Sequence, residues 1–145
     1  MGLRESVIDA NGLILGRLAS VVAKRLLNGE RIIIVNAEKA VISGKRLSIL
    51  REAKKFLEIG HPGKGPHHPR RPDEIVKRAV RGMLPRKKPR GREALKRLRV
   101  FIGLPEEFKD REKERIPEAD SRSLRCPYIR LSNLAKEIGW KPVGD

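Results

Sequence analysis

The sequence is short of the residues on which several classes of protein depend. It has one cysteine, Cys126, so an internal disulfide cannot form. Aromatic residues make up 3% of the chain, too few for the clustered rings on which single-strand binders stack bases. Apolar runs such as Ile32–Val35 are far shorter than a membrane-spanning helix. These shortages exclude a disulfide scaffold and disfavour both a base-stacking platform and a membrane protein.

Positive charge is what the chain has in excess. It contains 34 Lys and Arg against 18 Asp and Glu, for a formal net charge of +16. The span from His61 to Arg92 alone holds eleven Lys and Arg, opposed only by Asp73 and Glu74. Like charges at this density repel one another and weaken a compact state. The span therefore favours a polyanionic partner, and the phosphate backbone of a nucleic acid is the commonest one.

The hydrophobic pattern predicts a single α/β domain. At 145 residues and 39% hydrophobic content, the chain can bury a modest core. Its first part alternates a strand (Ser6–Asp9), an Asn11-Gly12 turn, a helix (Leu15–Asn28) and a buried strand (Ile32–Val35). A strand, a helix and a second strand in this order predict a parallel crossover.

The remainder of the chain continues this alternation with two irregular segments. We expect strands at 41–43 and 100–102. We expect helices at 46–59, from Pro72 to Pro85, at 92–98 and at 132–139, the last with Ser132 as its N-cap. The segment Glu106–Asp120 holds seven acids and four bases, so we expect a solvated helix or arm. Its acids are also a candidate face for another basic protein.

Two basic loops are the strongest candidate binding segments. Residues 60–72 contain four prolines and three glycines with Lys64, His67, His68, Arg70 and Arg71, and residues 86–92 contain Arg86, Lys87, Lys88, Arg90 and Arg92. Arginine forks chelate phosphate oxygens, glycine admits a close backbone approach, and proline lowers the entropy lost on docking. The basic sides of the neighbouring helices add Lys77, Arg78, Arg81 and Lys96.

Other functions find less support in the residues. His61, His67 and His68 suggest a metal site, but the chain has no zinc-finger spacing. A nuclease would need a cluster of acids to bind its metal ion, and the candidate acids are Asp9 with Asp73 or Glu74. Gly2 matches a myristoylation pattern, which leaves a membrane-surface module as a further alternative. The turn Gly12–Arg17 suits a phosphate site or a plain turn equally well.

Three segments resemble one protein family. They are Ile8–Lys24 with the pattern D-A-x-G-x-x-L-G-R-L-A-S, Val35–Gly44, and Arg81–Arg92 with R-G-M-L-P leading into Phe101-Ile102-Gly103. This set resembles the L-thirteen family of large-subunit ribosomal proteins over residues 6–104. The basic segment Pro85–Arg92, and the lack of a Trp before Asp9, are similar to the archaeal and eukaryotic branch.

The resemblance implies a fold, a function and a set of binding residues. The fold is a three-layer α/β/α sandwich around a short, mostly parallel sheet, here with basic loop extensions. The function is a structural one, without catalysis, cofactor, metal or small-molecule substrate. The chain would bind large-subunit ribosomal RNA and neighbouring ribosomal proteins in the cytoplasm and help the subunit assemble. The family pattern supports RNA contacts at Arg17, Lys24, Arg25, Lys45, Arg46 and the segment Arg81–Arg92, whereas charge alone supports residues 61–71.

Overall fold

The computed structural model describes residues 4–59, 70–85 and 87–142, which form six strands and five α-helices. The strands are Glu5–Asp9 (β1), Arg31–Val35 (β2), Val41–Ser43 (β3), Leu98–Val100 (β4), Lys113–Glu114 (β5) and Tyr128–Arg130 (β6). The α-helices are Leu15–Leu27 (α1), Arg46–Ile59 (α2), Pro72–Gly82 (α3), Pro89–Lys96 (α4) and Leu131–Glu137 (α5). Short 3-10 turns connect several of these elements.

A four-stranded parallel sheet lies at the centre, in the order β4-β2-β1-β5. β2 reads Arg-Ile-Ile-Ile-Val, and its last four residues are buried because they face packed layers on both sides of the sheet. β1 pairs with β2 from Glu5 opposite Arg31 to Asp9 opposite Val35, which confirms the predicted parallel pairing. β3 and β6 form a separate antiparallel pair.

The two faces of the sheet are covered unequally. Ile8, Ile32 and Ile34 join the main core, to which α1 contributes Leu18 and Val22 and the other helices contribute further apolar residues. On the opposite face, Val7, Ile33 and Val35 pack with Phe108 and Phe101, whose rings lie 5.5 Å apart. The α/β fold with a mostly parallel sheet is confirmed. Among the described residues, its second outer layer is thin.

The acidic segment is part of the fold, so the expected solvated arm is wrong. Lys113 and Glu114 form β5, an edge strand paired with Val7 and Ile8 of β1. Phe108, Ile116 and Ala119 are buried. These apolar residues are too widely spaced to show a helical or strand period in the sequence. They become buried only because the segment packs along the edge of the sheet and against the core beneath it.

Two helices begin before their predicted first residues. α4 begins at Pro89, three residues before the expected position, because a proline at the first helical position costs no hydrogen bond. Arg90 and Arg92 therefore lie on a helix and not in the expected loop. α5 begins at Leu131 after Arg130, so Ser132 is not its N-cap. The predicted strand at 100–102 overlaps β4 only at Val100.

Candidate nucleic-acid interface

α3 has one apolar side and one basic side. Val76 and Val80 are fully buried, one helical turn apart, and they hold the helix against the core. Lys77, Arg78 and Arg81 are exposed. The helix is well formed at its start, where Pro72 occupies the first turn together with the acids Asp73 and Glu74. The basic side chains of α3 are therefore carried by a rigid, well-anchored element.

α4 repeats this arrangement over eight residues. Gly91 and Ala94 are buried, whereas Arg90, Arg92 and Lys96 are exposed. A guanidinium nitrogen of Arg90 lies 3.5 Å from the carbonyl oxygen of Leu27, the last residue of α1. This contact places the beginning of α4 beside the end of α1.

α1 packs against both α3 and α4. We therefore group the exposed cations of α3, of α4 and of the turn before it with Lys24, which lies near the end of α1. We call this group the three-helix basic surface and define it by its members. They are Lys24, Lys77, Arg78, Arg81, Lys87, Lys88, Arg90, Arg92 and Lys96.

Most of these cations have charged groups that are not engaged within the described part of the chain. The side-chain charges of Lys24, Lys77, Arg81, Lys87, Lys88 and Arg92 make no hydrogen bond or ion pair with another described residue. Lys96 has only an exposed pair with Glu93, at 3.5 Å. A pair of this kind contributes little, typically about 0–1 kcal/mol. The surface therefore presents positive charge that the described part of the chain does not neutralise.

At the start of α4, Pro89 has no N–H, and the N–H groups of Gly91 and Arg92 donate to the carbonyl of Lys88, each at 3.2 Å. Lys88 occupies the N-cap position, without a side-chain cap and without an acid in the first turn. Unsatisfied N–H groups at a helix start carry partial positive charge and favour anions. α2 likewise has no acid in its first turn and follows the exposed Lys45. Phosphate groups suit such helix starts.

Arg25 differs from the other predicted contacts because it is engaged inside the protein. Its side chain is 18% exposed and lies 2.5 Å from Glu30. It also binds Glu114 of β5 and donates to the hydroxyl of Ser6 at 3.0 Å. Burial alone lowers the pKa of Arg25, but the hydrogen bonds from Arg25 to Glu30 and Glu114 outweigh it and raise that pKa. Arg25 is therefore engaged within the fold, and its expected contact with RNA stays a prediction.

The turn before α1 is filled by the chain itself. Gly12 has a φ of +73°, and its N–H donates to the carbonyl of Lys39 at 2.9 Å. The N–H of Ile14 donates to the carbonyl of Ala119 at 2.7 Å. Of the two interpretations of this turn, the structure favours the plain turn. Arg17 remains exposed but donates to the carbonyl of Glu118 at 3.3 Å.

Three further predicted contacts lie elsewhere on the described chain. Arg46 is 3.5 Å from Glu137 of α5, and Arg71 is 3.4 Å from Asp73. Arg70 is exposed and close to Gly139. The predicted contacts Lys64, His67, His68 and Arg86 lie outside the described residues, as does the metal alternative at His61, His67 and His68.

Comparison with known proteins decides the family. Residues 4–107 match the family described as Ribosomal protein L13. The Large ribosomal subunit protein uL13 of Methanosarcina barkeri is 55% identical over 94% of this chain and 99% of its own length. The uL13 proteins of Methanopyrus kandleri and Archaeoglobus fulgidus are 53% and 51% identical, over 96% and 95% of this chain and 89% and 90% of their own lengths.

The chain belongs to the ribosomal protein L13 family. This confirms the resemblance to the L-thirteen family that the sequence showed. The relatives named here are archaeal proteins. L13 proteins are structural and not enzymes. Asp9 accepts hydrogen bonds from the Asn11 backbone and the Asn36 side chain, each at 3.0 Å, and so acts as a turn cap.

Within residues 4–59, 70–85 and 87–142 of this L13 chain, no group of three or more His, Cys, Asp or Glu is arranged to hold a metal ion. In that same part of the chain, none of the helices combines the length and the apolar character that crossing a bilayer requires.

Proposed function

We propose that this protein is a structural constituent of the large ribosomal subunit in the cytoplasm. It binds large-subunit ribosomal RNA through the three-helix basic surface, with further contacts from Lys45, Arg46, Arg70 and Arg71. By doing so it helps the RNA to fold during subunit assembly and thus supports translation. Family membership and the uL13 names of its relatives support the ribosomal role.

One observation carries the RNA-binding part of the proposal. The cations of the three-helix basic surface are exposed and largely unpaired among the described residues, although the chain has many acids. Several of those acids pair with cations outside this surface, as in the pairs Arg111 with Glu5 and Arg122 with Asp120. A free-standing protein gains nothing from such a segregation of charge, because the unpaired cations repel one another.

Counterion release supplies the affinity in this mechanism. Each phosphate that a lysine or arginine neutralises frees condensed cations from the RNA, so the binding constant falls steeply as salt rises. The few aromatic residues leave little room for base stacking. Specificity then comes from the tertiary shape of the RNA and from its 2′-hydroxyl groups.

The rigid helices explain how binding would assist RNA folding. Folded RNA brings phosphates of separate strands close together, and their repulsion opposes compaction. Cations fixed on α3 and α4 reduce that repulsion in one geometry only, since Val76, Val80 and Ala94 anchor both helices in the core. A fixed charge array therefore favours the RNA conformation that matches it.

The test measures the salt dependence of RNA binding for one triple variant. Lys77, Arg81 and Arg92 are changed together to Ala, and the slope of log K against log salt is measured on large-subunit RNA. We expect the slope to fall in magnitude by about two to three units, because each lost phosphate contact removes about 0.7–0.9.

The matched control changes Lys109, Arg125 and Lys136 to Ala. These cations are also exposed, have no side-chain partner among the described residues and lie outside the three-helix basic surface. The control removes the same charge but should leave the slope nearly unchanged. Equal losses in both triple variants would show that net charge alone drives binding and would contradict the proposed interface.

Protein neighbours form the second part of the proposal. Glu106, Asp110, Glu112 and Glu118 are exposed and make no ion pair with a described residue. They offer a face for a basic segment of a neighbouring large-subunit protein. Crosslinking of Glu112 in the native subunit should yield lysine adducts from another protein. Adducts with RNA alone would contradict this part.

A further inference from the structure

A cavity of about 380 Å³ lies at the amino-terminal end of the parallel strands. Glu5 and Arg31 are the first residues of β1 and β2, and Arg99 lies in β4 opposite Ile33. Alternation along the strands places these four side chains on the thinly covered face of the sheet. Lys96 and Glu93 of α4 also border the cavity, so it adjoins the three-helix basic surface.

Positive charge dominates the lining. Arg31, Lys96, Arg97 and Arg99 face two carboxylates, and both carboxylates are already paired. Glu5 binds Arg111, and Glu93 lies 3.5 Å from Lys96. Arg99 also lies 3.9 Å from Glu107, just outside the cavity. Of the four lining cations, Arg31 and Arg97 therefore have no acidic partner among the described residues.

Two of the arginines have unused hydrogen-bond donors. Arg31 is exposed, and its guanidinium makes no hydrogen bond or ion pair with another described residue. Arg97 is anchored by a 2.5 Å hydrogen bond from its guanidinium to the carbonyl of Leu26. Its Nε is buried and has no hydrogen-bond partner, which is a costly state for a charged group. The exposed guanidinium of Arg31 suits an anionic oxygen, and Arg97 borders the cavity beside it.

The cavity also has surfaces that suit a sugar and a base. Ile33 contributes an apolar wall and is itself 3% exposed. The guanidinium of Arg99 lies 5.0 Å from the ring centre of Phe101, so the ring holds it in place. Arginine planes are a common stacking surface for unpaired RNA bases. The volume lies at the lower end of the range for ligand sites, roughly 300–1,000 Å³.

We propose that this cavity binds one unstacked nucleotide of the RNA, with its phosphate at Arg31 and Arg97 and its base against Ile33 and Arg99. The proposal rests on the proposed RNA-binding function and adds a site on the opposite face of the sheet. A nucleotide held here fixes the RNA strand at the edge of α4.

The test titrates the full-length chain with uridine 5′-monophosphate while the arginine Nε–H signals are followed by NMR. The signals of Arg31, Arg97 and Arg99 should shift, and that of Arg51, an exposed arginine of α2, should not. The monophosphate should bind at least threefold more tightly than either uridine or inorganic phosphate at the same ionic strength, because only it fills both parts of the cavity.

Variants make the test specific. Arg31→Ala should weaken binding of the monophosphate about tenfold, and Arg51→Ala should leave it unchanged. Arg99→Ala provides a second variant at an exposed position, with a loss of at least threefold. Equal effects of Arg31→Ala and Arg51→Ala would overturn the proposal. Stronger shifts with a triglutamate peptide than with the monophosphate would also overturn it, in favour of a protein carboxylate.

The outcome is separable from that of the proposed function. If the cavity binds no nucleotide while the Lys77, Arg81 and Arg92 triple variant still loses salt dependence on RNA, only the cavity proposal fails. If that triple variant behaves like its control while the monophosphate binds in the cavity, the proposed main interface fails.

Discussion

At the scale of single residues, Gly91 determines how closely α4 approaches the turn before it. A Cβ atom at this position would lie 2.1 Å from the carbonyl oxygen of Pro85. From the sequence, we expected this glycine to admit a phosphate, but the structure shows that it admits the protein's own backbone. The close contact fixes the turn that carries Lys87 and Lys88.

Gly91→Ala should therefore destabilise the fold. The backbone must move to relieve the contact, and we expect a loss of about 1–3 kcal/mol in the free energy of unfolding. The control is Gly82→Ala at the end of α3, where a Cβ would meet nothing within 4 Å. Chemical denaturation measures the free energy of unfolding of both variants. A Gly91→Ala variant as stable as Gly82→Ala would contradict the close packing of this turn.

Arg25 and Lys24 are neighbours in sequence with opposite expected roles. Arg25→Ala breaks the contacts with Glu30 and Glu114 and should lower the free energy of unfolding by about 1.5–3 kcal/mol. Lys24→Ala should change it by less than about 0.5 kcal/mol, since the side chain is exposed. In RNA binding the order reverses: Lys24→Ala should lower the salt slope by about one unit. If Arg25→Ala lowered the salt slope and Lys24→Ala did not, Arg25 would be the residue that contacts RNA.

Asp120 links stability to acid pH. Its carboxylate accepts hydrogen bonds from the side chain and then the backbone of Arg122, which lower the pKa of Asp120 to about 2. A depressed pKa stabilises the fold above the unfolded value of 3.8, and this contribution is lost as the pH falls from 3.8 toward 2. Asp120→Asn should thus be less stable than the parent at pH 6 and should converge with it near pH 2.

The control for Asp120 is another exposed acid. Asp110 makes no hydrogen bond or ion pair through its side chain among the described residues. Thermal unfolding of Asp110→Asn should follow the parent across the same pH range. A difference between Asp120→Asn and the parent that stays constant down to pH 2 would contradict the depressed pKa.

At the scale of elements, β2 is the strand on which the sheet depends. It pairs with β1 and β4, and Ile33 is buried between them on the thinner face. Ile33→Asp should abolish folding, because it buries a charge without a partner. Leu47→Asp is the control, since Leu47 on α2 is 75% exposed. Circular dichroism should show a cooperative unfolding transition for the control alone, and a cooperative transition in Ile33→Asp would show that β2 is accessible.

Elements with a strong local pattern could be predicted from the sequence. β2 is a continuous β-branched run, and α1 combines an apolar stripe with Gly29 at a φ of +95° just after its end. β5 could not be predicted, because Lys113 and Glu114 show no alternation of apolar and polar residues. Only their pairing with β1 makes them a strand. The start of α4 was missed because Pro89 and Gly91 are also typical of a loop. Only the close approach of Gly91 to Pro85 distinguishes a helix start from a loop here.

The candidate site could be predicted in part. Charge density located Lys77, Arg81 and Lys88 on the basic segment, and the structure shows them exposed. It could not separate Lys24 from Arg25, because Glu114, one of the two acids that engage Arg25, lies far along the chain. Nor could it bring Arg31 together with Arg97 and Arg99, which are distant in sequence until the parallel register of β2 and β4 places them at one cavity.

At the scale of the whole molecule, the distribution of charge is the unusual property. Several acids form ion pairs around β5 and the turns that follow it. Glu114 pairs with Arg25 of α1, and Arg115 lies 3.9 Å from both Asp9 of β1 and Asp120. The three-helix basic surface keeps its charge with little internal compensation. The net charge of +16 is therefore concentrated where a polyanion can neutralise it.

Sedimentation of a cell lysate, with and without ribonuclease, tests this account most directly. The account predicts that the protein sediments with the large ribosomal subunit and shifts to the top of the gradient once the RNA is digested. Sedimentation mainly as an independent monomer, unchanged by ribonuclease, would contradict it.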